Sequence, residues 1–318
     1  APRAGRGRPL GARQRRDLWQ VFDDVNAGLA EGGLTTWSGV CHAAARAIDA
    51  AGRRPYDHVV ADEAQDLGPA ELRFLRSLVK QGPDDIFLSG DAGQQIFRRS
   101  FSWLSAGLDV RGRSTRLTVN YRTTEQIRRF ADHVLPVSVS GLVGDAARRG
   151  SVSLLNGREP ECRAADTVPE EVALVADWLE DLFSTGYRPR DVAVFARTKK
   201  LLDERAVPAV ERLGRGWHAL KDDESPDPNR VAIGTMHRAK GLEFRAVGVV
   251  GCQDGIMPLE RVARRQADEA DRDLFLARER NLLYVACTRA QRRLLVTWVG
   301  RPSRFLGEVV DGPNGDAA

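Results

Sequence analysis

VVADEAQD (59–66) is the stretch on which the reading of this chain turns. The apolar run that begins at Tyr56 passes through Val59, Val60 and Ala61 straight into Asp62-Glu63, with no turn residue between. β-Branched residues in a short apolar run favour a strand. Residues 56–61 therefore read as a strand, with two carboxylates at its C-terminal end, where α/β sheets gather ligands. Residue type alone leaves two roles open. In phosphoryl transfer, one carboxylate holds Mg2+ through its waters while the other orients and deprotonates the attacking water. Alternatively, the two acids only cap the following helix, whose N-terminus favours negative charge.

Outward from this point the same arrangement recurs. Pro69 opens a helix to about Lys80, and a second strand, IFLS (86–89), runs into Gly90-Asp91. Upstream, Leu18, Val21, Phe22, Val25 and Leu29 mark one face of a helix over 12–31, by their spacing of three and four. Gly32-Gly33 ends it, and 36–51 reads as another helix. A basic loop, RGRSTR (111–116), comes next. Strands are predicted at 116–119, 151–155, 192–196, 231–235, 246–251 and 293–299, and helices at 123–134, 168–185, 199–213 and about 268–290. Alternation of this kind predicts parallel sheets covered on both faces. The division falls near the basic loop, giving domains 1–112 and 113–318. Two strands are few for a parallel sheet, so the first domain looks incomplete.

Composition bounds the function classes. With 318 residues, 42% hydrophobic and 29% charged, the chain has enough apolar surface to offset ordering entropy, which excludes general disorder. No apolar run reaches the ~18–20 residues of a membrane span. The Arg/Gly/Pro-rich start, 1–11, lacks the apolar core of a signal peptide. The expectation is a cytoplasmic protein with a disordered leader. Cys41, Cys162, Cys252 and Cys287 are scattered and the five histidines form no His-x-x-x-His pair, so neither a zinc site nor a disulfide scaffold is expected. Net charge is +4, and all but five of the 48 basic residues are arginine. Either a GC-rich coding sequence or contact with phosphates accounts for that bias.

Four further stretches follow DEAQD in order: LSGDAGQQIF (88–97), LTVNYRTT (117–124), TMHRAKGLEF (235–244) and ERNLLYVACTRA (279–290). Together the five resemble the ordered motifs of superfamily 1 DNA helicases of the UvrD/Rep type, over roughly 55–125 and 190–305. The resemblance implies an α/β fold of RecA-like parallel sheets, one truncated and one complete P-loop-NTPase-type motor domain. It implies ATP and Mg2+ as cofactors, and single-stranded DNA or DNA junctions as partner, with no membrane. On it, Asp62 matches the Mg2+ ligand, Glu63 the catalytic base and Gln94 the γ-phosphate sensor. Arg122 and Arg289 match two arginines that reach the γ-phosphate, and Glu243 a carboxylate on the ribose. Thr235, His237, Arg238 and Lys240 lie in the segment that touches the DNA backbone. Phe97 matches an aromatic on which a base stacks. The competing accounts are plain: salt bridging for the two arginines, core packing for Phe97.

One motif of such enzymes is missing. No Gly-Lys-Ser or Gly-Lys-Thr occurs in the sequence, so the phosphates have neither a glycine-rich cradle nor its lysine. The resemblance places that loop far upstream of DEAQD, which implies a chain that begins inside the first motor domain. The interval from Arg122 to Thr235 also leaves no room for a large inserted accessory domain. The expectation is the motor portion of an ATP-dependent 3′–5′ helicase, inactive as residues 1–318 alone. The alternatives are a catalytically incomplete DNA-binding or regulatory fragment, or a site completed by a separate polypeptide. No pathway and no nuclease or repair partner is legible.

Overall fold

The strand order β5-β10-β9-β6-β8-β7 defines the larger of two units in this computed structural model, which describes residues 11–91, 103–135, 151–220 and 227–307. The units comprise residues 1–114 with 268–271, and 115–267 with 272–318.

In the first unit, α1 (Ala12–Glu31) and α2 (Trp37–Ala51) precede β1 (Val59–Ala61), α3 (Pro69–Leu78) and β2 (Ile86–Leu88). β1 and β2 pair in parallel, Val59 opposite Ile86 and Ala61 opposite Leu88. Ile86 and Leu88 pack onto a small cluster of Leu72, Ala106 and Leu108. Among the described residues the sheet is covered on one face and not on both as alternation predicts, since Val60 and Phe87 are 75% and 62% exposed. The apolar face read on α1 is real, yet α1 buries none of its residues.

The second unit begins with β3 (Val119–Thr124), α4 (Glu125–Val134) and β4 (Val152–Leu155), β3 and β4 forming their own parallel pair. β5 (Glu161–Ala165) and α5 (Val168–Ser184) lead to β6 (Val192–Ala196). α6 (Lys199–Leu201), a π-helical stretch (Leu202–Ala206) and α7 (Val207–Glu211) follow, then β7 (Trp217–Ala219), β8 (Val231–Thr235) and β9 (Phe244–Val250). α8 (Glu260–Ala263), α9 (Glu269–Thr288) and β10 (Ala290–Val299) are the last elements among the described residues. Every pair in the six-stranded sheet is parallel. All five residues of β6, VAVFA, are buried, as a parallel strand covered on both faces requires. Trp178, Leu179 and Leu182 of α5 pack on Val192, Val194 and Ile233, and Phe195 meets Phe244 edge to face at 6.0 Å.

Three sequence expectations are corrected. The strand expected at 116–119 lies at 119–124. The helix expected over 199–213 is interrupted by the π-helical stretch, next to Pro208, which lacks the N–H that a regular helix would use there. β5 and β7 had no counterpart in the pattern; both are outer strands of the sheet. Among the described residues no helix is long and apolar enough to cross a membrane.

Candidate functional site

In the first unit, the pairing of Ala61 with Leu88 brings the ends of β1 and β2 to the same edge. Asp62-Glu63 and Ser89-Gly90-Asp91 emerge there side by side. Ser89 Oγ donates to Asp62 Oδ1 at 2.6 Å, and the Glu63 N–H donates to the same oxygen at 2.8 Å. The Ser89 bond first, then the backbone bond, holds the exposed Asp62 carboxyl below its usual range. Asp62 is therefore ionised at neutral pH.

Glu63 sits in the left-handed region, φ 52°, a conformation that costs a non-glycine residue about 1–3 kcal/mol. Its carboxylate accepts from the side-chain amide of buried Gln65, whose Oε1 accepts from the Asp91 N–H at 3.0 Å. A Cβ on Gly90 would lie 2.3 Å from that Gln65 oxygen, so a larger residue there would have to displace the Gln65 amide from the network. Glu63 makes no side-chain cap to the turn Ala64–Asp66. The geometry thus disfavours the helix-cap account of the acid pair. Asp62 fits a Mg2+ ligand, since that ion usually takes one or two carboxylates and completes its shell with water and phosphate. Among the described residues no cluster of three or more metal-ligating side chains occurs. Gln94 and Phe97 lie outside the described residues.

In the second unit, the pairing of Ala290 with Phe244 sets Arg289 beside Glu243. Arg122, on β3, reaches Glu243 Oε1 with its Nε at 2.8 Å. Gln291 Nε2 donates to the other Glu243 oxygen at 3.1 Å. Asn120 Oδ1 fixes the Arg122 backbone through its N–H at 2.7 Å. Arg289 is 2% exposed and donates to the carbonyls of Val285 (3.1 Å) and Leu242 (3.3 Å). Arg122, Glu243 and Arg289 are thus brought together, and Gln291 joins them unannounced by the sequence reading. The Arg122–Glu243 pair is 45% and 38% exposed, a contact worth at most about 1 kcal/mol and readily exchanged.

Thr235 ends β8, and a single tight turn, Met236–Ala239, follows. Met236 and Ala239 are buried and anchor it, which leaves Arg238 exposed and His237 and Lys240 half-buried. Burial, and then the neighbouring Arg197 charge, push His237 below its usual range, against an opposing pull from Glu279. Arg197 follows β6 directly and forks onto Glu279 of α9: Nε to Oε2 at 2.8 Å, Nη2 to Oε1 at 2.6 Å. The Leu259 N–H donates to the same carboxylate at 3.2 Å. Neither residue was singled out from the sequence. Glu279 opens the quoted ERNLLYVACTRA, which was the available signal; Arg197 is one arginine among 43.

Two protein-family profiles match the chain: the UvrD/REP helicase N-terminal domain over residues 34–107 and the UvrD-like helicase C-terminal domain over 217–301. ATP-dependent DNA helicase UvrD2 of Mycobacterium tuberculosis (H37Rv) is 25% identical over 82% of this chain and 51% of its own length. DNA helicase IV of Escherichia coli K12 is 28% identical over 76% of this chain and 33% of its own. The chain thus spans about half the length of the first relative and a third of the second. A solved structure, the C-terminal domain of a possible DNA helicase from Lactobacillus plantarum WCFS1, aligns at TM-score 0.43 and 23% identity, over 59% of this chain and 93% of that one.

Proposed function

The chain belongs to the UvrD/Rep-type helicase family, and on that footing we propose that it is the motor portion of an ATP-dependent 3′–5′ DNA helicase, coupling ATP hydrolysis to movement along single-stranded DNA. The observation that carries this reading is the unlike setting of two adjacent acids. Asp62 is held ionised by Ser89 and a backbone N–H, which suits a ligand of Mg2+. Bound there, Mg2+ supplies charge neutralisation for the phosphates. Glu63, oriented by the Gln65 amide, is the carboxylate that takes the proton of the attacking water. Arg122 and Arg289 stabilise charge developing on the γ-phosphate, a role worth ~10³–10⁵ in rate. Gln94 senses that phosphate and Glu243 holds the ribose. Thr235, His237, Arg238 and Lys240 meet the DNA backbone, and a base stacks on Phe97.

A specific observation favours a second reading: the 318 residues contain no Gly-Lys-Ser/Thr loop. By it, these residues alone bind DNA but do not turn over ATP. Steady-state ATPase on residues 1–318 and on the whole protein, with and without oligonucleotide, tests both. Residues 1–318 are expected to show negligible turnover, and strong DNA-stimulated turnover from them would overturn the second reading. In the whole protein Glu63→Gln is expected to keep Mg·ATP binding and stop hydrolysis, within the ~10²–10⁴-fold usual for a general base. Full turnover by that variant would remove Glu63 from the role of base. Unwinding of 3′-tailed but not 5′-tailed duplexes checks the direction.

A further inference from the structure

We infer that the buried Arg197–Glu279 ion pair is a positioning device that transmits occupancy of the DNA-contacting turn Met236–Ala239 to the helix that ends at Thr288, next to Arg289. The inference rests on the reading above and adds to it the residues that link its two ligands. Ala196 and Thr235 are register partners in adjacent strands, so Arg197 and Met236-His237 leave the sheet side by side. The Arg197 side chain crosses to α9 and meets Glu279 through three N–H···O contacts. Glu279 is 3% exposed, and α9 continues without a break from it to Thr288. At 1.5 Å per residue, that rigid span is about 14 Å.

Burial makes the pair informative. Removing two charges from water costs several kcal/mol per ion, and a buried pair is commonly no more stable than apolar residues of the same volume. Its distinctive contribution is geometry: a planar guanidinium fork fixes both distance and angle to a carboxylate. The second unit holds another such pair, Arg205 with Glu171, and the two differ in what surrounds them. Glu171 accepts from the Gly251 N–H and the Thr297 hydroxyl, and Arg205 donates to Gln253; no proposed DNA or nucleotide residue is among these partners. The Arg197–Glu279 pair has His237 within its electrostatic reach, and Leu259 as a third anchor. A DNA phosphate held by the turn moves Met236–Ala239, and Arg197, which leaves the adjacent strand beside that turn, carries the movement through its fork to Glu279. A shift of Glu279 is a shift of α9, and therefore of Arg289.

The test uses Arg197→Lys, which keeps the charge and loses the fork, and Glu279→Gln, which keeps shape and one acceptor oxygen. In the whole protein, ATPase is measured with and without poly-dT, alongside nucleotide-free DNA affinity by fluorescence anisotropy. Both variants are expected to lose DNA stimulation by about 5–150-fold, the usual span of site-to-site coupling, with DNA-free turnover and DNA affinity unchanged. Retained stimulation overturns the inference, and so does a parallel fall of the DNA-free rate, which marks a merely structural pair. If Glu279→Gln does not fold, amide exchange on the whole protein decides. DNA is then expected to slow exchange at both 236–240 and 279–288 in the unsubstituted chain, and only at 236–240 in Arg197→Lys. Slowing at both segments in that variant, or at 236–240 alone in the unsubstituted chain, overturns the inference. Absence of any DNA-stimulated ATPase in the unsubstituted whole protein overturns instead the helicase reading beneath it.

Discussion

β1 and β6 are both short, Val-rich and parallel, yet one is half in water and the other is sealed. Val60 of β1 is 75% exposed, whereas all five residues of β6 are buried beneath α5 and within a six-stranded sheet. The charged groups divide in the same way. Asp62 and Glu63 of the first unit stand in solvent, while Glu171, Arg205, Glu279 and Arg289 of the second are each 3% exposed or less. A residue in water can change partners at little cost; a residue in a low-dielectric interior is held by its partners and penalised for losing them. The first unit therefore presents this acid pair to solvent, and the second holds ion pairs and Arg289 in fixed positions.

The largest effect that could break this contrast concerns Arg289. Arg289→Ala in the whole protein is expected to lower kcat by ~10³–10⁵ and to leave nucleotide-free DNA binding unchanged. Arg238→Ala, at an exposed position, is expected to do the reverse: DNA binding weakens and its salt dependence flattens by about one counterion. Salt titrations with labelled single strands, run beside steady-state ATPase, check both. Equal loss of DNA binding in the two variants would place Arg289 in the DNA segment.

Next comes stability. Glu171→Ala leaves Arg205 buried without its partner and is expected to cost about 3–5 kcal/mol. Val60→Thr, on the exposed face of β1, is expected to change stability by less than ~0.5 kcal/mol. Urea unfolding of residues 1–318, followed by circular dichroism, measures both. A cost at Val60 as large as that at Glu171 would show that the face of β1 is covered in solution.

The smallest effect is one of pH. Burial lowers the folded His237 pKa below its ordinary value of about 6.5, so between the two values the unfolded chain binds more protons. Stability is accordingly present above about 6.5 and lost as pH falls through the folded value. His237→Gln is expected to flatten the urea midpoint between pH 5 and 7.5. Asp62 acts in a lower window: its carboxyl is also depressed, so its contribution persists above about 3.9 and fades only in stronger acid. A midpoint that stays as steep in His237→Gln would assign the dependence to another group.

Much of the fold was legible because burial writes itself into sequence. VAVFA and VAIGT read as strands since a fully buried parallel strand has no polar face to interrupt it. ECRAA (161–165) did not, because an edge strand tolerates Glu161 and Arg163 at alternate positions. The apolar stripe of α1 was legible, but a stripe says only that a helix has a face, not what meets it. Of the candidate site, Asp62, Glu63, Arg122, Glu243 and the turn at 235–240 stand out in the sequence because their neighbours form a pattern. Arg197 and Glu279 lie 82 residues apart, and no local pattern records a contact made by two strands and a helix folding together. Glu63's left-handed backbone was equally hidden, since a positive φ is not announced by a non-glycine residue.

The open form of the β1–β2 sheet bears on how the molecule behaves in concentrated solution. Beyond the two strands, the described residues add only an isolated bridge between Tyr56 and Val79. A short apolar strand with free backbone groups is a template on which a second molecule can add a strand. Val59-Val60-Ala61 carries no charge and is flanked by Asp57 on one side and by Asp62 and Glu63 on the other. Charges flanking an aggregation-prone strand act as gatekeepers that keep neighbouring molecules apart. The acids proposed to serve hydrolysis thus have a colloidal duty as well, and neutralising them for an enzymological purpose also removes two of the three acids that flank the strand.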